Sequence, residues 1–274
     1  MDRPVVLPAF EARMTALGQT LLIALAVRRP VDLFALRRAF SQSAPRAPLG
    51  ITRARVPTGE EAFLIDLADE RIVLHLAEER IPEREYSAAV RGNVLWPEAG
   101  DAMARHTAYA ALAGVPARSD RRGVEAQAAA LTRAAEAVAT IAEALGVHWL
   151  GTETMSAPGR LVRARQELTE GRVPTDLWIG IRVVEGAETG HLGARTAGAA
   201  AFLGYELHLD PMPTPGAQEP IEILTEAAHA LLSTETRVSD GDRVEANGRI
   251  FALDLRGPAH GDGPARLLPM GGDA

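Results

Sequence analysis

One segment limits the fold more than any other. Over residues 123–145, Leu131, Ala134, Val138, Ile141 and Leu145 recur at spacings of three and four, which predicts an amphipathic helix with a single apolar stripe. Glu125, Arg133, Glu136 and Glu143 fall off that stripe. Such a helix must bury its one apolar side against another element. The runs on either side read as strands: Thr107–Val115 (TAYAALAGV) before it and Val147–Gly151 after it, with Gly146 placed to stop the helix.

The rest of the chain follows the same mixture. Leu21–Val27 reads as a strand, and Pro30 favours a helix over Val31–Phe40 with Leu33, Phe34 and Leu36 turned inward. Ile51–Val56, Ala62–Leu67 and Arg71–Ala77 are strand-like, the last two flanking Ala68-Asp69-Glu70 as a hairpin would. Ile81–Arg91 is helical or irregular, and Trp96-Pro97-Glu98-Ala99 opens a helix running to about Arg105. A charged amphipathic helix is expected over Pro158–Thr169. Leu177–Val184 (LWIGIRVV), nearly all apolar, reads as a central strand. Then come strands at His191–Thr196 and Tyr205–Leu209, a helix over Glu219–Leu232 with Ile221, Leu224 and Ala228 inward, and a hairpin from Arg237 to Leu255. Its turns fall near Asp240-Gly241-Asp242 and Asn247-Gly248.

Runs of antiparallel strands with helices between them predict an α+β fold with mixed, largely antiparallel sheet or sheets and helices packed on one face. Both halves open with a strand and a helix before strands that can pair as hairpins, which points to duplicated β-α-β-β halves. The expected division is 1–95 as an N-terminal α+β half, 96–256 as a C-terminal α+β domain, and 257–274 as a flexible, glycine- and proline-containing tail.

Composition acts mainly by exclusion. The 274 residues are enough to bury a core, with 47% apolar and 24% charged residues. There is no cysteine, so disulfides, thiolate metal sites and thiol nucleophiles are excluded. There is no lysine either; all 29 cationic residues are arginine. A phosphate-binding loop with its lysine, Schiff-base chemistry and pyridoxal chemistry are therefore excluded too. The net charge of −7 argues against nucleic acid unless a local basic patch is hidden in the fold. Thr20–Val27 is too short, and too close to charge on both sides, for a secretory signal, and no window is apolar enough for a membrane helix. A soluble, cytoplasmic protein is expected, with no membrane and no nucleic-acid partner.

Motifs for enzymatic chemistry are missing. There is no Gly-x-Gly-x-x-Gly after a strand, no Gly-x-Ser-x-Gly and no His-Glu-x-x-His. Ser239-Asp240-Gly241-Asp242 begins like a calcium loop, but Val244 stands where the next ligand should be. His208 and Asp210 would share one strand face, too few ligands for a metal. His75, between Leu74 and Leu76, is expected to be exposed. Arg121-Arg122, with Arg118 near by, precedes the long helix and reads as a solvated loop rather than a phosphate site. In His148-Trp149, Trp149 is expected to turn inward, and His148 with Glu153 near by has the makings of a general base.

One constellation resembles a known family. Trp96-Pro97-Glu98-Ala99, His106, Val147-His148-Trp149, Leu177-Trp178-Ile179-Gly180, Thr196-Ala197-Gly198, Leu203-Gly204-Tyr205-Glu206-Leu207 and Asp240-Gly241-Asp242 follow one another over roughly residues 96–256. This succession resembles the bacterial domain-of-unknown-function family 4261, which has no established catalytic residues. The resemblance implies an intracellular accessory or immunity-type protein, similar to those encoded near toxin and secretion systems. The binding candidates are Trp96, His106, His148, Trp149 and Glu153. The expected function is a non-enzymatic module for a basic or toxin-like protein partner, with no metal and no cofactor. The alternatives are a hydrolase or small-molecule-binding enzyme drawing on His106, His148, Glu153 and His208, and a structural subunit of a homo-oligomer.

Overall fold

The computed structural model describes residues 22–28, 31–32, 34–38, 49–55, 61–67, 69–93, 95–115, 120–152, 154–234, 238–257 and 263–270. Leu33, Arg118 and Glu153 lie outside the described residues. The fold is α+β, built on two mostly antiparallel open sheets. The chain divides into two compact units, Met1–Leu150 with Met155–Arg165 and Gly151–Thr154 with Gln166–Ala274. The main division therefore falls after β6, not at residue 95, because the segment 96–150 supplies strands and helices to the first sheet.

The first unit holds β1 (Leu22–Val27), β2 (Leu49–Arg55), β3 (Glu61–Leu67), β4 (Glu70–Ala77), β5 (Ala108–Val115) and β6 (Ala144–Trp149). With β7 (Thr154–Ser156) they form one sheet in the order β2-β3-β4-β5-β1-β6-β7. β1 sits between β5 and β6, antiparallel to both. The alternation of side chains sorts the sheet into two faces. Leu74, Leu112, Ile23 and Trp149 are aligned across one face. The same face carries Gly114, where an added Cβ would lie 2.1 Å from Cδ of Gln127, so the long helix α3 (Arg121–Ile141) covers it. His75, Ala111, Ala24 and His148 are aligned across the other face. There Ala24 and Ala111 pack with Ala89 of α1 (Glu83–Arg91) and with Ala99 and Met103 of α2 (Ala99–Ala104). This sheet is thus covered on both faces.

The long helix starts where its N-cap is supplied: the Asp120 carboxylate accepts the N–H of Gly123 at 2.9 Å. Arg121 pairs with Glu125 one turn on, at 2.8 Å, so the arginines before the helix belong to the helix itself. The helix ends at Ile141, short of Gly146. Glu143 takes a φ of 49° to turn the chain, and Gly146 lies inside β6. A Cβ at Gly146 would stand 2.9 Å from the Met103 sulfur and 3.4 Å from the Trp96 ring. This glycine is needed for close packing rather than for helix termination.

Near the N-terminus a helical segment spans residues 34–38. Leu36 is fully buried, but Phe34 is 78% exposed, so it points outward rather than inward.

The second unit holds β8 (Gly180–Glu185), β9 (His191–Ala197), β10 (Leu207–Pro213), β11 (Arg243–Ala246), β12 (Arg249–Asp254) and β13 (Ala265–Pro269), in the order β11-β12-β13-β10-β9-β8. Among the described residues of this unit only β10 and β13 pair in parallel. α7 (Gln218–Ser233) lies on one face, burying Ile221, Leu224, Ala228, Leu231 and Leu232. α4 (Gly159–Thr169) precedes this sheet in sequence, and α5 (Thr175–Trp178) and α6 (Ala199–Leu203) are short.

Three expectations fail in this unit. The tail beyond residue 257 is not free: Ala265 and Leu267 are fully buried, and β13 is an interior strand between β10 and β12. Alternation of buried Ala265 and Leu267 with exposed Arg266 was the signal, masked by the glycines around it. Leu177–Val184 is not a central strand. Its apolar first half winds into α5 and buries Leu177 and Trp178 there, and β8 starts at Gly180 as an edge strand beside β9. Finally, the two sheets do not repeat one topology. The first strand of the first unit is interior, whereas β8 is at an edge and reaches β9 by a hairpin without a helix.

The glycine and acid motif within Thr196–Leu207 has a structural explanation. Glu206 accepts hydrogen bonds from Oγ1 of Thr196 at 2.6 Å and from the N–H groups of Gly198, Ala199 and Ala200 at 2.8, 3.1 and 3.2 Å. Gly198 has a φ of 94°, the left-handed conformation that lets these amides converge. The carboxylate of Glu206 therefore ties β9, α6 and β10 together.

Candidate functional site

Trp96 is half-buried: its N–H donates to Oδ1 of Asn93 at 3.0 Å, and its ring packs on the alanine-rich core. Asn93 also donates from Nδ2 to the Met155 carbonyl at 2.6 Å, so it and Trp96 close that core.

His106 is buried within the same unit. Its Nε2 accepts the N–H of Ile81 at 2.7 Å and its Nδ1 contacts the Met103 carbonyl. Both bonds are met by one neutral tautomer, with the proton on Nδ1. Burial lowers its pKa below the ordinary imidazole value, partly opposed by the bond to Met103. The ring of Tyr86 stands edge-on to it at 6.1 Å.

His148 is 3% exposed on β6, across from Ala24. Burial pushes its pKa from 6.5 down to about 4, and its Nδ1 has no hydrogen-bond partner among the described residues. Trp149 is fully buried and, as expected, turned inward, on the opposite face of the sheet. His75 is buried rather than exposed, because helices cover the face onto which its strand turns it. It stands edge-on to Tyr109 at 6.4 Å.

His106 is consumed by backbone bonds, and His148 and Trp149 face opposite sides of one sheet. His208 belongs to the second unit, where its Nε2 lies 3.3 Å from Asp210 on the same strand face. Asp210 is also bonded by Arg266, so it serves an ion pair. Among the described residues no three His, Asp or Glu side chains gather to hold a metal ion.

The structure instead builds a cleft of about 420 Å³ in the second unit, between the chain around α5 and one flank of α7. Pro174 sets up the single turn of α5, whose Leu177 and Trp178 are buried, with Trp178 stacked on Phe202 at 5.4 Å. The apolar stripe of α7 faces its sheet, which leaves Thr225, Glu226 and His229 on the flank that lines the cleft. Glu167, Arg172 and Asp176 complete the polar rim. The lining thus holds three carboxylates and one guanidinium; Arg172 is bonded to Glu170, and the Glu226 carboxylate accepts the N–H of Asn247 at 2.6 Å. The bond from Arg172, with one from Gln166, lowers the pKa of the exposed Glu170.

His229 is held at both ring nitrogens, by Oγ1 of Thr175 at 3.1 Å and by Oγ of Ser233 at 3.4 Å. Thr175 is only 4% exposed, so its hydroxyl fixes the imidazole and is badly placed to attack a substrate. The cleft carries more carboxylate than guanidinium groups on its lining. Sequence reasoning missed it because Thr175 and His229 are 54 residues apart. Only the four-residue step from His229 to Ser233 on a helix hinted at a local pair.

No family model, no curated protein and no solved structure matches the chain. Among the described residues, no helix is long and apolar enough to cross a membrane.

Proposed function

We propose that this chain is a non-enzymatic protein-binding module, an immunity or secretion-accessory protein of the kind that the resemblance to domain-of-unknown-function family 4261 implies, and that its partner is basic. The observation that carries this reading is the cleft of the second unit, whose lining holds Glu167, Asp176 and Glu226 against the single arginine Arg172. An arginine or lysine of a partner would meet an excess of negative charge there, which favours specificity and fast encounter. The buried state of Thr175 and the structural employment of His106 speak against hydrolysis at these histidines.

The test is purification at native expression, with the wild type beside a charge-reversed cleft carrying Glu167→Arg and Asp176→Arg. The wild type is expected to retain a basic protein in stoichiometric amount, and the reversed variant to lose it without a change in melting temperature. A single monomeric wild-type species with no partner would refute the proposal. A homo-oligomer insensitive to the reversal would refute it as well.

A further inference from the structure

The net charge of the chain is −7, yet the second sheet carries a row of basic side chains on the face opposite α7. Arg182 of β8 stands directly across from Arg195 of β9, Arg195 across from His208 of β10, and His208 level with Arg266 of β13. Paired residues on neighbouring strands share a face. The next residue on each of these strands points the other way: Ala194, Leu209 and Leu267 are buried against the helix side. The row is therefore on the outer side. Arg195 is exposed, and the side chain of Arg266 is 51% exposed. At a strand spacing of about 4.8 Å the row runs roughly 14 Å across four strands.

Local carboxylates balance the row only in part. Asp210 serves both His208 and Arg266. Asp254, next in line across from Arg266, is bonded by Arg256 at 2.7 Å. Among the described residues Arg195 has no carboxylate within ion-pair distance. Like charges directly opposite in a sheet are destabilising, and exposed ion pairs such as that of Arg266 return little. Arg195 stands directly across from Arg182, so strand pairing alone does not account for its place.

The same face continues into an apolar patch. Along β13 the outward residues run Arg266, Leu268, Met270, and Ile250 of β12 lies beside Met270, whose N–H donates to the Ile250 carbonyl at 3.0 Å. Ile250 is 47% exposed and Met270 39%. Among the described residues the face carries no Phe, Tyr or Trp on which a base could stack, and the chain as a whole repels a long polyanion.

We infer that the outer face of the second sheet docks an acidic segment of a protein partner, with carboxylates on Arg195 and Arg266 and apolar side chains on Ile250 and Met270. Arginine forks suit carboxylates in pairs, and the adjoining apolar surface suits a peptide better than a phosphate backbone. No residue of this surface lines the acidic cleft, so the two readings stand or fall separately.

The full chain is titrated by fluorescence anisotropy against a short labelled peptide of glutamates interspersed with leucines, and against a labelled oligothymidylate of similar length. The peptide is expected to bind the wild type and to weaken by about tenfold or more in Arg195→Glu with Arg266→Glu, and to weaken with added salt. Glu167→Arg in the cleft should leave that binding intact. Arg195→Gln should weaken the peptide to a lesser degree while melting at or slightly above the wild-type temperature, since a like-charged neighbour is removed. Equal peptide affinity in wild type and reversed variant would overturn the inference. So would an oligothymidylate that binds more tightly than the peptide and is lost in the same variants. A marked drop in the melting temperature of Arg195→Gln would show that the arginine serves the fold, and would overturn it too.

Discussion

Acidification over the range in which histidine alone titrates should weaken the first unit, and His148 should account for most of the effect. Folding buries its imidazole among alanines and lowers its pKa from 6.5 to about 4. Between those two values the unfolded chain binds more protons than the folded one, so stability rises with pH there. The contribution of neutral His148 is fully present above the unfolded pKa and is lost as the pH falls toward the folded one. By linkage the loss amounts to roughly 2 kcal/mol from about pH 7 to about pH 5, and about 3 kcal/mol once the folded group titrates. His106, also lowered by burial, acts in the same direction. The assay is urea unfolding at the two pH values in a Trp178→Phe background, where Trp96 and Trp149 report on the first unit. His148→Phe keeps a ring of similar size and removes the buried Nδ1 that lacks a partner. It should unfold with about 2 kcal/mol less dependence on pH over this range. Equal losses in the parent and in His148→Phe would refute the reasoning, because the sensitivity would then lie elsewhere.

Three further outcomes are expected from the packing. Glu206→Gln should destabilise the second unit by about 2 kcal/mol, since the charged acceptor of three backbone N–H groups and the Thr196 hydroxyl becomes a neutral amide; urea unfolding followed by Trp178 fluorescence measures it. Gly114→Ala should cost about 1–3 kcal/mol, because its Cβ would overlap Gln127. Combining it with Gln127→Ala should recover part of that cost in a double-mutant cycle. Asn93→Ala should lose about 1–3 kcal/mol, as it frees the N–H groups of Leu95 and Trp96 and the carbonyl of Met155 together; thermal melting of the first unit reads it.

Periodicity alone determined the elements that are long or strictly patterned. The stripe Leu131–Ala134–Val138 fixed α3 as a helix, and alternation made β4 and the start of β10 strands, because each pattern can bury its apolar residues in only one kind of secondary structure. The lack of cysteine and lysine removed thiol and amine chemistry outright, since no fold can restore an absent group. Tertiary structure decided what depends on neighbours distant in sequence. His75 and His106 look like ordinary polar residues on their own segments, and only the helices packed over them make them buried. Leu177–Ile179 is as apolar as a central strand, and the stacking of Trp178 on Phe202 makes part of it a helical turn. The short run Ala265–Leu267 has too few residues to announce a strand, and partners on both sides make it one. The acidic cleft and the arginine row have the same origin. Glu167 meets Glu226, and Arg182 meets Arg195 and Arg266, only through helix packing and strand register, so no spacing along the chain could reveal either surface.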